Sequence, residues 1–94
     1  MQLINANYCV LLLISRLCGC LAAGGYLLCE EHLVTDMKVI GPGSVNYRVA
    51  PGDLAEAVSG VDVLMCQESI EMNAEGEQVA SARLVVKKNK FKCN

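Results

Sequence analysis

The stretch from Tyr8 to Glu31, YCVLLLISRLCGCLAAGGYLLCEE, constrains the fold most, because no other run in the chain is as long and as apolar. It is longer than an ordinary strand, so it predicts a buried helix. The remainder of the chain alternates in the manner of strands broken by turns, which leaves one economical arrangement: the helix lies across a sheet that wraps around it. The expected fold class is α+β, one central helix packed on an antiparallel β-sheet. Asn5 and Asn7 stand where they would cap that helix, and Met1 to Asn7 otherwise carries little pattern and is expected to fray.

Beyond the helix, Met37 to Ile40 is a short apolar run, Gly41-Pro42-Gly43 a break, and Ser44 to Val49 an extended segment with Val45, Tyr47 and Val49 on one face. Ala50-Pro51-Gly52-Asp53 reads as a chain reversal, with Pro presetting its backbone angle and Gly supplying freedom after it. Leu54 to Val63 and Leu64 to Met72 then read as two strands. Asn73 to Gly76 forms a hairpin loop, and Glu77 to Lys88 is the last strand, with Ala80, Ala82, Leu84 and Val86 sharing one face. Sequential strands joined by short turns predict an antiparallel meander. No repeat or linker divides the 94 residues, which read as a single domain.

A chain this short buries only roughly 60–65 % of its unfolded surface. With 53 % hydrophobic residues it has more apolar surface than a monomer easily hides, and a homodimer is expected. The net charge of −2 gives no footprint for nucleic acid, and the one basic cluster, Lys87, Lys88, Lys90 and Lys92, reads as a solvated end of the final strand with a basic tail over residues 89–94. Of six cysteines, four (Cys9, Cys18, Cys20, Cys29) fall in the apolar run, where thiols act as small hydrophobes; without a Cys-x-x-Cys pair no metal site is expected. The Leu17-Cys18-Gly19-Cys20 segment approaches a lipoprotein cleavage box, but no Lys or Arg precedes the apolar run and Arg16 interrupts it. The expected location is cytoplasmic, with an exported lipoprotein as the alternative. A membrane span is disfavoured because Arg16 near the bilayer centre would cost about 2.5–3.5 kcal/mol.

Tyr47-Arg48-Val49-Ala50-Pro51-Gly52-Asp53 and Glu75-Gly76-Glu77-Gln78-Val79-Ala80-Ser81-Ala82, following a helix rich in Ala, Gly and Leu, resemble the hot-dog fold of acyl-CoA thioesterases and acyl-thioester dehydratases. The likeness is to the bacterial thioesterase domain found alone or behind an acetyltransferase, and it covers about Ser15 to Val86. The resemblance implies a homodimer that hydrolyses an acyl-CoA or other acyl-thioester, with no cofactor beyond that coenzyme A thioester as substrate. In such enzymes the free N–H groups at the helix start polarise the thioester carbonyl while a polar side chain positions water. Asn5, Asn7 and Ser15 are the candidate catalytic residues, with Tyr8 beside them. Glu30, Glu31 and Asp53 read as surface charges, His32 as a helix-end cation, and Cys18 and Cys20 as inert packing. The family opens with further strands, whereas here the chain starts almost at the helix. The alternative is therefore a truncated, non-catalytic relic that binds an acyl-thioester or lipid.

Overall fold

The computed structural model describes residues 2–8, 11–35, 39, 41 and 48–89. The long apolar run is not one helix but a helix and a strand. Strand β1 (Leu3–Asn7) occupies the segment expected to fray, α1 covers only Leu11–Cys20, and β2 spans Tyr26–His32. The break falls at Gly24-Gly25. Gly24 adopts φ 78, a left-handed conformation open to glycine at little cost, and its N–H donates to the carbonyl of Lys88 while Gly25 N–H closes back on Ala22. The helix stops there because the chain must turn tightly onto the sheet.

β1 and β2 pair in parallel, Leu3 beside Tyr26 through Asn7 beside Glu30, with α1 as the crossover that parallel neighbours require. A short helix α2 (Asp53–Glu56) comes next, and then the hairpin of β3 (Asp62–Met72) and β4 (Gln78–Lys87). β4 inserts antiparallel between β2 and β3, so the sheet order is β1-β2-β4-β3. The fold class is α+β with a four-stranded mixed sheet. The central helix wrapped by an antiparallel meander is overturned by the parallel pair and by the ten-residue length of α1.

The core lies on one face of the sheet. Leu27 and Cys29 from β2 and Ala80, Ala82, Leu84 and Val86 from β4 point to this side, where Ile14 and Cys18 of α1, Leu54 of α2 and Val49 cover them. Ile14 and Cys18 are spaced i, i+4, which puts both on the inner stripe of the helix; Leu12 and Leu13 remain exposed. Cys18 and Cys29 are buried, and Cys20 and Cys66 are exposed.

The two reversals differ in outcome. Asn73 to Gly76 is the expected hairpin loop: the Asn73 side-chain oxygen accepts from the N–H groups of Glu75 and Glu77, and Gly76 has φ 80. Pro51-Gly52-Asp53, by contrast, opens α2 instead of joining two strands. Gly52 caps it in the left-handed region, Asp53 accepts from Ala50 N–H, and Leu54 anchors it in the core, so the expected strand over residues 54–63 is absent until Asp62. The segments expected as strands over residues 37–40 and 44–49 lie mostly outside the described residues. At the basic end, the Lys87 ammonium sits 5.3 Å from the centroid of the Tyr26 ring and Lys88 is buried, so neither is a freely solvated charge.

Candidate functional site at the carboxyl ends of the parallel strands

The face of the sheet opposite the core carries Asn5 and Asn7 of β1, Tyr26, Leu28, Glu30 and His32 of β2, and Ser81, Arg83, Val85 and Lys87 of β4. In open α/β sheets the ligand position is outside the carboxyl ends of the parallel strands. Those ends are Asn7-Tyr8 and Glu30 to His32.

The chemistry gathers at this place. Tyr8, just past β1, takes φ 55, the only positive φ at a non-glycine among the described residues. Two hydrogen bonds hold it there, from its N–H to the carbonyl of Glu30 at 2.8 Å and from its hydroxyl to Glu30 Oε1 at 3.1 Å. Its ring stacks on His32, centroids 4.6 Å apart. Asn7 closes the connection from the other side, its Oδ1 accepting from Glu30 N–H. Glu30 and Arg83 are register partners across β2 and β4, and Arg83 Nε donates to Glu30 Oε2 at 2.7 Å. Arg83 also reaches Glu71 at 3.9 Å.

The Glu30–Arg83 pair stands between two hollows. One, of about 280 Å³, is bounded by Tyr8, Glu30, Glu71, Met72, Ser81 and Arg83. The other, of about 190 Å³, lies along the open face against Asn5, Leu28, Met65 and Val85.

Local environment sets the charge states. The Arg83 guanidinium holds the Glu30 carboxyl below its usual range, assisted by the Tyr8 hydroxyl. Burial, with Glu30 alongside, raises the Tyr8 phenol. Burial and then the Arg48 cation push the His32 imidazole down, and His32 Nδ1 is buried without a hydrogen-bond partner. These environments favour a neutral phenol, a neutral imidazole and an ionised Glu30–Arg83 pair.

These shifts make stability depend on pH. The folded chain resists protonating His32, so the unfolded state binds more protons as pH falls through about 6.5, the ordinary histidine value, and stability declines there. Glu30 works at lower pH: its contribution is complete above the unfolded carboxylate pKa and is lost as pH falls through the depressed folded value. Thermal unfolding monitored by circular dichroism from pH 8 to 3 is expected to show melting temperature falling in two steps, and His32→Phe, which keeps a ring against Tyr8, is expected to remove the upper one.

Of the sequence-derived candidates, Asn7 joins the cluster, Asn5 lines the smaller hollow, and Ser15 is exposed on α1 and touches neither hollow. None sits at the start of a long central helix. His32 ends a strand instead of a helix and stacks on Tyr8. Arg83 and Glu71 are not singled out by the sequence; both read as ordinary outward positions of alternating strands.

No family model and no curated protein matches the chain. A solved structure does. TehB from Haemophilus influenzae superposes with a TM-score of 0.69 at 18 % identity, over 94 % of this chain and 35 % of the TehB chain. The chain thus spans about a third of the length of the structure it matches. At that identity the likeness establishes the fold, and it corrects the family expected from the sequence: TehB is a methyltransferase, not a hot-dog thioesterase. The thioester-hydrolase function, its acyl-CoA substrate and the relic of the same fold fall with the mixed sheet and the parallel β1-α1-β2 unit. Among the described residues no helix is long and apolar enough to cross a membrane.

Proposed function

We propose that this chain forms the acceptor-side part of a methyltransferase-type α/β domain and holds a small organic molecule against the carboxyl ends of β1 and β2. One observation carries the reading: side chains from β1, β2 and the inserted hairpin converge just past the ends of the parallel pair, with Tyr8 held there in a left-handed conformation. Backbone strain of this kind persists where surrounding bonds over-determine it and is concentrated at binding sites. The likeness to TehB supports the class of domain.

A methyltransferase implies an S-adenosyl donor, and the residues present do not fit one. Nucleotide-type ligands at a βα turn need glycines so that backbone N–H groups can approach them. Residues 3–18 contain no glycine, and the Tyr8 N–H is already committed to Glu30. The chain is therefore assigned binding of the acceptor and no transfer step.

Amide chemical-shift mapping on the whole chain tests this with two probes. Benzyl alcohol, a small neutral aromatic, is expected to shift Tyr8, Glu30 and Arg83, while S-adenosylhomocysteine at millimolar concentration leaves β1 and α1 unmoved. Saturable shifts along residues 3–16 with S-adenosylhomocysteine would overturn the assignment, as would silence at Tyr8, Glu30 and Arg83 with benzyl alcohol.

A further inference from the structure

We infer that the larger hollow selects a cation, a small organic ammonium in which the charge sits beside an apolar group. The inference deepens the proposed function and rests on its location for the site.

The walls of the hollow decide the sign. Glu30 and Glu71 bring two negative charges and Arg83 one positive, and the Arg83 Nε–H is consumed by Glu30 at 2.7 Å. Glu71 lies farther from Arg83, at 3.9 Å, and is half exposed, with Ser69 Oγ donating to its Oε1. The excess charge at the opening is thus negative and centred on Glu71. An anion entering here would meet both carboxylates, with only the Arg83 N–H groups not taken by Glu30 to offset them.

The remaining walls favour the same ligand. The Tyr8 phenol stays neutral, and its electron-rich ring is the kind of surface on which ammonium groups rest. The Met72 side chain, 66 % exposed at the end of β3, supplies a soft, adaptable apolar contact for the organic part. His32, held neutral behind the Tyr8 ring, adds no opposing charge. A hollow of about 280 Å³ accommodates a one-ring or short-chain amine, toward the small end of ligand sites.

The test compares three probes sharing one ring and differing in charge: benzylammonium, benzyl alcohol and benzoate, each titrated into the chain at pH 7 and monitored by the amide shifts of Tyr8, Glu30, Glu71 and Arg83. Benzylammonium is expected to bind about tenfold more tightly than benzyl alcohol, with benzoate weakest. Glu71→Gln, an exposed change that leaves the fold intact, is expected to weaken benzylammonium about fivefold and leave benzyl alcohol unchanged. Equal affinities for ammonium and alcohol, or tighter binding of benzoate, at these same amides would overturn the cation preference and leave the site standing. Failure of all three probes to move these amides would overturn both.

Discussion

Ile14→Ala is expected to lower the stability of the chain by about 3 kcal/mol, the range for truncating a fully buried aliphatic side chain. Ile14 is 0 % exposed and, with Cys18, is the part of α1 that joins the buried cluster of Leu27, Leu84 and their neighbours. The loss combines the transfer free energy of the removed carbons with the void they leave, because the short helix and the sheet can close the gap only in part. For a domain of this size the melting temperature should fall by about 12–20 °C. Leu12, two residues away on the same helix, is 63 % exposed, and Leu12→Ala should change stability by no more than about 0.5 kcal/mol. A helix buried all round would make both substitutions costly. Urea unfolding of the two variants side by side separates the alternatives.

Two glycines of the apolar run are expected to respond with opposite signs. A Cβ on Gly25 would lie 2.9 Å from the carbonyl oxygen of Ala22 and 3.1 Å from the Gln2 side-chain oxygen. The Ala22 oxygen is backbone and accepts from Gly25 N–H, while the Gly25 carbonyl accepts from Lys88 N–H, so the Ala22 oxygen cannot give way without breaking the turn that feeds β2. Gly25→Val should cost about 2–3 kcal/mol, as overpacking does in tightly closed sites. Gly19 is in α1, and nothing lies within 4 Å of a Cβ added there. Gly19→Ala should stabilise by about 0.5–1 kcal/mol through helix propensity. Denaturant midpoints at constant m-value read both effects.

How far the fold can be read from the residues depends on what each segment must satisfy. The β3–β4 hairpin is legible because Ala80, Ala82, Leu84 and Val86 of β4 form a continuous buried face that alternates with the less buried positions of the other, and because Asn73 and Gly76 carry the turn. The segment over residues 26–32 is not. In Tyr26-Leu27-Leu28-Cys29 both faces are apolar, and such a run reads alike as buried helix or buried strand. The stop signal is present in Gly24-Gly25, but taken inside one long helix it leaves β2 hidden. Once β2 is missed, β1 has no partner and looks frayed.

The site is legible only in fragments for the same reason. Asn7 is visible as a polar residue near a helix start, yet its role is to bind the backbone of a neighbouring strand. Glu30 and Arg83 become a pair only through the β2–β4 register, which places them opposite one another 53 positions apart in the chain. His32 reads as a helix-end charge as long as the element before it reads as a helix. With a strand there instead, it lies on the open face at the carboxyl end and meets the ring of Tyr8.

The parallel pairing of β1 with β2 is the claim on which the site, the domain class and the ligand inference all stand. Cross-strand nuclear Overhauser contacts measure it directly in the isotopically labelled chain. The expected pattern links Leu3 with Tyr26, Asn5 with Leu28 and Asn7 with Glu30, in ascending order along both strands, together with Leu28 to Val85 from the antiparallel neighbour. An unbroken series of i, i+3 contacts from Tyr8 through Glu31, the signature of one continuous helix, would contradict it.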